Sequence, residues 1–421
     1  MDNWSNGFAK EHIHSFETLN EPQRKHLIAI LDEKFPPKTY EWHADLQKKA
    51  FVNAEESRHI LAEVTQRYPR LIRSDHIAGS LSDLHGYAIV LTAGGDGVRM
   101  RSSLRSQGVD DGELQDFIKA TYQIPGFPKG FGSLQADLAV IEDLSKQAGF
   151  QIPVIVTTGP KGSTTARVIP KVIDQNNSFG LTHIRTLNQG ERLHLSVDGK
   201  IVFTLVDGMP WPATNPDETG GPFMKMKKKG FEKGISAIEW LQGLGCKKII
   251  ALQATALFDP SIIIAMAHAG KQHDCVGVGV LRKSFEAKDP FGTFVALEKD
   301  GKQSVAIVEH AVRNETTMTL MDPSNTYHLP YNTGLYIFDT DLLTEKSLPD
   351  YATPPKEIVP LLPKSPKVGY AATDLIALAK DPAVLSVNLD CYENIKTVDD
   401  LQKLSDLGKR YGIIDICKRA G

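Results

Sequence analysis

The spacing of apolar residues changes once along this chain of 421 residues. Up to about residue 80, apolar positions such as Leu27, Ile30 and Leu31 recur at helical spacing, which predicts helices with a break around Asn20–Pro22. From Tyr87 onward, short apolar runs alternate with segments of helical period. Alternation of this kind predicts a predominantly parallel α/β sheet.

The pattern also places individual elements and regions. The predicted strands are Ala88–Leu91, Val154–Thr157, His183–Leu187, Ile201–Leu205, Lys248–Leu252, Val276–Leu281, Phe294–Leu297, Val305–Glu309 and Gly334–Phe338, and the predicted helices include Gly132–Ala148, Gly230–Leu244 and Pro260–Ala269. A proline-rich stretch, Pro349–Pro366, precedes a tail whose pattern is typical of a strand, a short loop and a helix from near Thr397. We therefore expect a helical N-terminal region (1–80), a main α/β domain (81–345) and a small C-terminal domain (346–421).

The composition is that of an ordinary globular protein. Hydrophobic residues make up 41% and the formal net charge is −3 at pH 7, so we expect no general attraction for nucleic acid or anionic membranes. The four cysteines form no C-x-x-C pair, which argues against a metal cluster or a disulfide framework and fits a reducing compartment. Because the N-terminus is polar and no apolar run is long enough to span a bilayer, we expect a cytoplasmic protein. The pattern does not indicate an oligomeric state.

A glycine-rich loop follows the first predicted strand. The run Tyr87–Thr92 leads into Gly94, Gly95 and Gly97, and Arg99 follows. Glycine lacks Cβ and tolerates positive φ, so successive N–H groups can point at an anion, and a guanidinium is a forked donor suited to phosphate. The loop therefore predicts phosphate binding, with a plain tight turn as the alternative.

Other nucleotide-binding patterns fit less well. In the dinucleotide fingerprint, Met100 stands where a third glycine or alanine belongs, and Asp116, at the distance of a ribose-binding acid, lies in a helical pattern. An NAD(P)-binding oxidoreductase is therefore disfavoured. The segment GPKGSTT, 159–165, lacks the ending of a P-loop and is typical of a surface turn.

Beyond the loop, short motifs follow in a fixed order. The segment L-x-A-G-G-x-G-x-R-M after a strand resembles the opening signature of sugar-1-phosphate nucleotidyltransferases. The whole chain is similar to their UTP-using branch, the UDP-sugar and UDP-N-acetylhexosamine pyrophosphorylases. The further matching segments are Pro128-Lys129, Ser133–Asp137, Phe179–Leu181, Asn188–Gly190, Asp198–Ile201, Thr219–Gly221, Glu309-His310, Asn332 and Tyr392–Leu401.

This resemblance implies a fold and a reaction. The fold is a Rossmann-like core of the GT-A type with a mixed, mainly parallel sheet, a helical N-terminal region and a small C-terminal α/β domain. The reaction converts UTP and a sugar 1-phosphate to a UDP-sugar and pyrophosphate. The implied site residues are Arg99, Lys129 and Lys396 for catalysis, Gly94, Gly95, Gly97, Gln135 and Gly220 for the nucleotide, and Gly221, Glu309 and Asn332 for the sugar.

Each of these side chains also has an ordinary structural explanation. Lys129 could be a solvated loop lysine, and Lys396 could simply begin a helix. Gln135 lies in a predicted helix, where solvent-facing glutamines are common, and Asn332 in P-Y-N-T-G could form a turn. Glu309 is less ordinary because it ends a predicted strand that is apolar on both faces.

The resemblance also implies a Mg²⁺ cofactor, but its usual ligand is missing. The family places an Asp at the end of a central strand, where this chain has Gln253, and a neutral amide is a poor ligand for a hard dication. The metal ligand is therefore unknown: Asp259, Asp207, Asp217 or the substrate phosphates alone could hold the ion. Otherwise the protein is a catalytically weak relative that binds a nucleotide or sugar phosphate with an altered metal site.

Three further departures from the family pattern leave the identity of the sugar undetermined. Val98 replaces a threonine of the family pattern, His310 replaces a tyrosine, and Thr219 replaces an asparagine that would contact the sugar.

Overall fold

The computed structural model of the chain describes residues 16–95, 97–110, 112–114, 116–196, 199–285, 291–352 and 368–420, without the side chains of 49–58, 98–99 and 351–352. The helices are α1 (Glu21–Lys34), α2 (Pro37–Glu63), α3 (Val98–Ser106), α4 (Ser133–Ala148), α5 (Thr164–Gln175), α6 (Gly221–Met226), α7 (Ala237–Gly243), α8 (Ser261–Gly270), α9 (Glu315–Thr319), α10 (Thr340–Glu345), α11 (Asp374–Leu378), α12 (Asp400–Arg410) and α13 (Ile413–Ala420). The strands are β1 (Thr65–Arg67), β2 (Leu71–Arg73), β3 (Tyr87–Thr92), β4 (Val154–Thr158), β5 (Ile184–Asn188), β6 (Glu191–Leu193), β7 (Phe203–Val206), β8 (Met209–Pro212), β9 (Thr214–Pro216), β10 (Lys248–Gln253), β11 (Ala256–Phe258), β12 (Cys275–Arg282), β13 (Thr293–Lys299), β14 (Lys302–Val308), β15 (His328–Asp339), β16 (Asp350–Ala352), β17 (Val368–Tyr370), β18 (Pro382–Val387) and β19 (Tyr392–Asn394).

A mixed, mainly parallel sheet forms the centre of the fold, as predicted. Its strand order is β2-β18-β12-β15-β10-β3-β4-β5, and β13, β14 and β1 extend it beside β15. Along that order only β15 runs antiparallel to its neighbours, while the other adjacent pairs are parallel. The sheet is covered on both faces, so β3 and β12 are apolar along almost their whole length and almost entirely buried.

The chain divides into two compact units. The small unit consists of residues 1–60, 190–221 and 348–372, and the large unit of residues 61–189, 222–347 and 373–421. The three regions expected from the sequence, with boundaries near residues 80 and 345, stay a prediction.

The small unit is built on α1 and the β7–β8 hairpin. Asn20 caps α1 in a capping box with Gln23, so the helix begins at Glu21, at the break expected from the sequence. The apolar side of this helix, including Leu27 and Leu31, packs in a core with Phe203 of the hairpin.

Two segments differ from the sequence prediction. The N-terminal region ends in the short strands β1 and β2 rather than in helix, and β2 pairs with β18. The predicted helix Gly230–Leu244 begins only at Ala237, because Gly230 and Gly234 take positive φ and Ser236 caps the helix. Among the described residues, no helix is both long and apolar enough to cross a membrane.

Candidate functional site

The glycine-rich loop follows the carboxyl end of a central strand of the main sheet, on the side of the sheet that we call its carboxyl edge. Its strand, β3, runs parallel to β10 and β4, so Thr92 at its end is paired with Gln253 on one side and Thr157 on the other. The carboxyl ends of β10, β3, β4 and β5 therefore meet at this edge. In open α/β sheets, ligands bind outside the carboxyl ends of the strands.

The loop is closely packed at two of its glycines and open at the third. A Cβ on Gly94 would lie 2.5 Å from Gln189 Oε1, which follows β5. Gly97 has φ +63° at the start of α3, and a Cβ there would lie 3.0 Å from Lys119 Cβ. A Cβ on Gly95 would have nothing within 4 Å. The loop thus needs glycine for its path at 94 and 97, and it is exposed to solvent at Gly95.

The backbone of the predicted arginine, Arg99, is among the described residues, but its side chain is not. Arg99 is in the first turn of α3, directly after the loop. The position of its side chain is not among the described features, so its contact with a phosphate stays a prediction.

Lys129 and Gln135 belong to one structured turn. Gln135 is 3% exposed, and its amide donates to Gly130 O at 2.8 Å and accepts from Gly132 N at 3.2 Å. Lys129 is exposed beside Gly130. The Gln135 amide therefore holds the turn that carries Lys129. The contact of Gln135 with uracil stays a prediction. The alternative, a glutamine that faces solvent on a helix, is wrong because the side chain is buried.

The start of α4 is tied to the sheet edge. Ser133 Oγ donates to Ala254 O at 2.6 Å, one residue after Gln253. This bond places the turn of Lys129 next to the carboxyl end of β10.

Glu309, Asn332 and Lys396 meet around the segment 291–292. Asn332 N donates to Gly292 O at 2.8 Å, and a Cβ on Gly292 would lie 3.3 Å from Glu309 Oε1. Lys396 Nζ lies 3.3 Å from the centroid of the Phe291 ring. Residues far apart in sequence and grouped by the resemblance thus converge in the large unit.

The Asn332 amide is half engaged. Its Oδ1 accepts from Gly334 N and from the Tyr336 hydroxyl, each at 3.0 Å. Among the described residues its Nδ2 has no partner, so this group remains available as a donor toward a hydroxyl.

Two residues of this region were missed by sequence reasoning. Burial, with the nearby Glu309 carboxylate, raises the pKa of Asp374 to about 6. Lys119, beside Gly97, donates from Nζ to Ile395 O at 2.8 Å and so ties the glycine loop to the segment of Lys396. The polar position of Asp374 at the start of an apolar helix was its only sequence signal, and Lys119 had none.

The residues at the end of β10 do not fit a protein-held Mg²⁺. Gln253 Oε1 accepts from Asn394 Nδ2 at 3.0 Å, and its Nε2 lies against Gly334, which has φ +77°. No group of three or more His, Cys, Asp or Glu in the described part of the chain could hold a metal ion. Asp259, one suggested ligand, instead accepts from Ser261 N at the start of α8.

The remaining candidates lie in the small unit. Gly220 N donates to Tyr370 O at 2.7 Å. The buried Asp217 carboxylate is wedged against Gly190 and Gly221, where any Cβ would overlap it. Asp207 is exposed with φ +50°.

Comparison with solved structures gives the fold a precedent. The uridine diphosphate N-acetylglucosamine pyrophosphorylase from Trypanosoma brucei matches with a TM-score of 0.69 at 14% identity, over 93% of this chain and 80% of that one. The chain has the fold of these enzymes. A UDP-glucose pyrophosphorylase variant from Leishmania major, in complex with UDP-glucose, matches with a TM-score of 0.57 at 15% identity, over 85% and 78%. A proposed UDP-N-acetylglucosamine pyrophosphorylase from Entamoeba histolytica matches with a TM-score of 0.64 at 16% identity, over 82% and 88%.

The likeness is one of structure. No protein-family model matches the sequence, and no curated protein matches it either.

Proposed function

We propose that the protein is a uridylyltransferase that converts UTP and a sugar 1-phosphate to a UDP-sugar and pyrophosphate. The observation that carries this proposal is the convergence at one sheet edge of the glycine loop, Gln253 and Asn332, with Lys119 linking the loop to the segment of Lys396. The shared fold with UDP-sugar pyrophosphorylases supports the same conclusion.

The reaction suits a site rich in amides and cations. An oxygen of the sugar phosphate attacks the α-phosphorus of UTP, a new P–O bond forms, and the bond to the β-phosphate breaks as pyrophosphate leaves. The nucleophile is already an anion, so no hydroxyl or thiol needs activation. Catalysis is then positioning and neutralisation of charge on the phosphates, for which we assign the loop amides, Arg99, Lys129 and Lys396.

The sugar would be read at the segment 291–292. Asn332 Nδ2 is suited to donate to a sugar hydroxyl, and the Glu309 carboxylate is suited to accept from one. The assignment of Gln135 and Gly220 to the uracil and of Gly221 to the sugar follows from the family resemblance.

A second candidate function rests on Gln253. A neutral amide at the end of β10, without a cluster of acidic residues among the described ones, fits a relative that binds UTP or sugar phosphate with little turnover. The two candidates differ in whether pyrophosphate is released.

One assay separates them. Purified protein is incubated with UTP and a panel of sugar 1-phosphates, with and without MgCl₂, and pyrophosphate is measured. Release with at least one sugar supports the transferase, and the comparison with and without MgCl₂ tests the Mg²⁺ dependence that the resemblance implies. If UTP raises the thermal transition while no sugar supports release, the binding function is the correct one. A shift with NADH but not with UTP would contradict both.

Substitution of Lys129 tests the assigned chemistry. Lys129→Ala is expected to lower turnover by two or more orders of magnitude, because it removes a fixed charge that stabilises phosphate. Its matched control is Lys171→Ala, an exposed lysine on α5, which should leave turnover unchanged. Equal activity of both variants would remove Lys129 from the mechanism.

A further inference from the structure

A cavity of about 380 Å³ lies in the large unit, apart from the residues assigned to the transferase. It is lined by the segment from Tyr68 to Leu71, by Arg73 and Leu281, and by the turn that contains Asp322 and Tyr327. Its volume is within the usual range for small-molecule sites.

The cavity lies at the carboxyl edge of the sheet. Arg73 is the last residue of β2 and Leu281 is the next to last of β12, and both strands run parallel to β18 between them. This is the edge at which open α/β sheets take ligands. Along it, β2 and β12 lie on the other side of β15 from the glycine loop.

The walls are largely apolar and aromatic. Two tyrosines, two prolines and two leucines contribute, and Tyr68 donates to His328 O at 3.4 Å. Tyr327 lies under the Arg73 guanidinium, whose Cζ is 5.8 Å from the ring centroid. Such walls suit a planar ring that can stack on tyrosine or proline.

Most of the charges around the cavity are already paired. Arg73 donates from Nε and Nη2 to both oxygens of Asp75, at 3.2 and 2.9 Å. Asp322 accepts from the backbone of Thr326 and Tyr327 at 2.7 and 2.8 Å, and from the Ser324 hydroxyl. Both carboxylates are therefore engaged by their own surroundings.

One cation remains. Arg70 is exposed, and within the described part of the chain it forms no hydrogen bond or ion pair. A guanidinium presents a fork of donors that matches a carboxylate or phosphate. A single unengaged cation suits one anionic group rather than the several charges of a triphosphate.

We propose that this cavity binds a small planar molecule that carries one anionic group, with the ring between the tyrosines and prolines and the anion on Arg70. The site is separate from the proposed UTP site, and its ligand differs from UTP in charge. The proposal of this site therefore does not depend on the proposed transferase activity.

The test is a calorimetric titration of the full-length protein with each of four probes. Benzoate and phenyl phosphate carry both a ring and an anion, inorganic phosphate carries only the anion, and benzyl alcohol carries only the ring. We expect saturable binding of benzoate, phenyl phosphate or both, at least about tenfold tighter than binding of the two partial probes. The preference between the first two decides whether the natural anion is a carboxylate or a phosphate.

Two variants and a control locate the binding. Arg70→Ala should weaken binding of the preferred probe about tenfold or more, because it removes a charge-assisted pair. Tyr327→Leu should weaken it while leaving the anion contact. Arg67→Ala, which removes an arginine paired with Glu298 outside the cavity, should bind as the wild type does.

Three results would overturn the proposal. They are no saturable binding of either ring-bearing anion, equal binding of a partial probe, and undiminished binding by a folded Arg70→Ala variant. Thermal unfolding of each variant establishes that it is folded.

Discussion

Asp374 illustrates how one side chain responds to its surroundings. Burial disfavours its charged form and the Glu309 carboxylate repels it, so its pKa rises from 3.8 to about 6. The folded state then holds the proton more tightly than the unfolded chain does. The stability contributed by this group is present at low pH and is lost as the pH rises from about 4 to about 6.

Replacing Asp374 with asparagine should remove that dependence. We expect Asp374→Asn to unfold at a higher temperature than the wild type at pH 7, with a smaller difference at pH 4, because the variant avoids burying a charge. Thermal unfolding at both pH values measures the effect. Asp174→Asn, an exposed carboxyl on α5, is the control, and an equal response of the two variants would contradict the explanation.

At this scale the sequence predicts backbone constraints better than side-chain surroundings. Gly94 and Gly97 follow from the rule that a closely packed loop needs glycine, and their packing supports it. The burial of Gln135 against its own turn and the pairing of Lys119 with Ile395 O depend on contacts between distant or folded-back segments. No local pattern contains those contacts.

Among the elements, the start of α4 is held by side-chain hydrogen bonds to the backbone around it. The Gln135 side chain satisfies both a backbone N–H and a backbone C=O of the turn before the helix. Ser133 connects the same turn to the end of β10. Loss of the amide would leave the backbone N–H of the buried Gly132 without its partner, whereas the C=O of the exposed Gly130 can turn to water.

Gln135→Leu is therefore expected to cost about 1–3 kcal/mol of unfolding free energy. Chemical denaturation measures that cost. Gln147→Leu is the control on the same helix, since Gln147 is exposed and donates to Asp143, and it should change stability by less than about 0.5 kcal/mol. A Gln135 variant as stable as this control would mean that the turn holds itself.

The elements themselves were largely predictable. Long apolar runs such as Lys248–Leu252 and Val276–Leu281 became central strands, because both faces of a parallel strand are buried. The strands β1 and β2 were missed because each has three residues, too few to show an alternating pattern. Their extended form depends on partners distant in sequence, β13 and β18.

For the whole molecule, the C-terminal segment is part of the central sheet. The strand β18 lies between β12 and β2, and the buried residues Ile413, Ile414 and Cys417 belong to the same core as α4. Removal of this segment would separate the edge strand β2 from the rest of the sheet and expose apolar surface on α4.

A chain that ends at Ala372 is accordingly expected to lose cooperative unfolding. The missing strand deprives β12 and β2 of their hydrogen-bonding partner, and the missing helix α13 uncovers α4, while the net stability of a domain is small. Circular dichroism during heating detects the loss. A truncated protein that melts sharply at the wild-type temperature would contradict this expectation and show that the fold does not need residues 373–421.

The reversed direction of β15 has a consequence for how such a protein could diversify. Because β15 is antiparallel to β10 and β3 is parallel to it, β15 begins at the carboxyl edge, near Asn332, whereas β3 ends there in the glycine loop. Insertions ahead of β15 can therefore reshape the proposed sugar pocket, while the loop after β3 keeps its geometry. In the proposed transferase, the choice of sugar and the binding of the nucleotide would then depend on separate stretches of polypeptide.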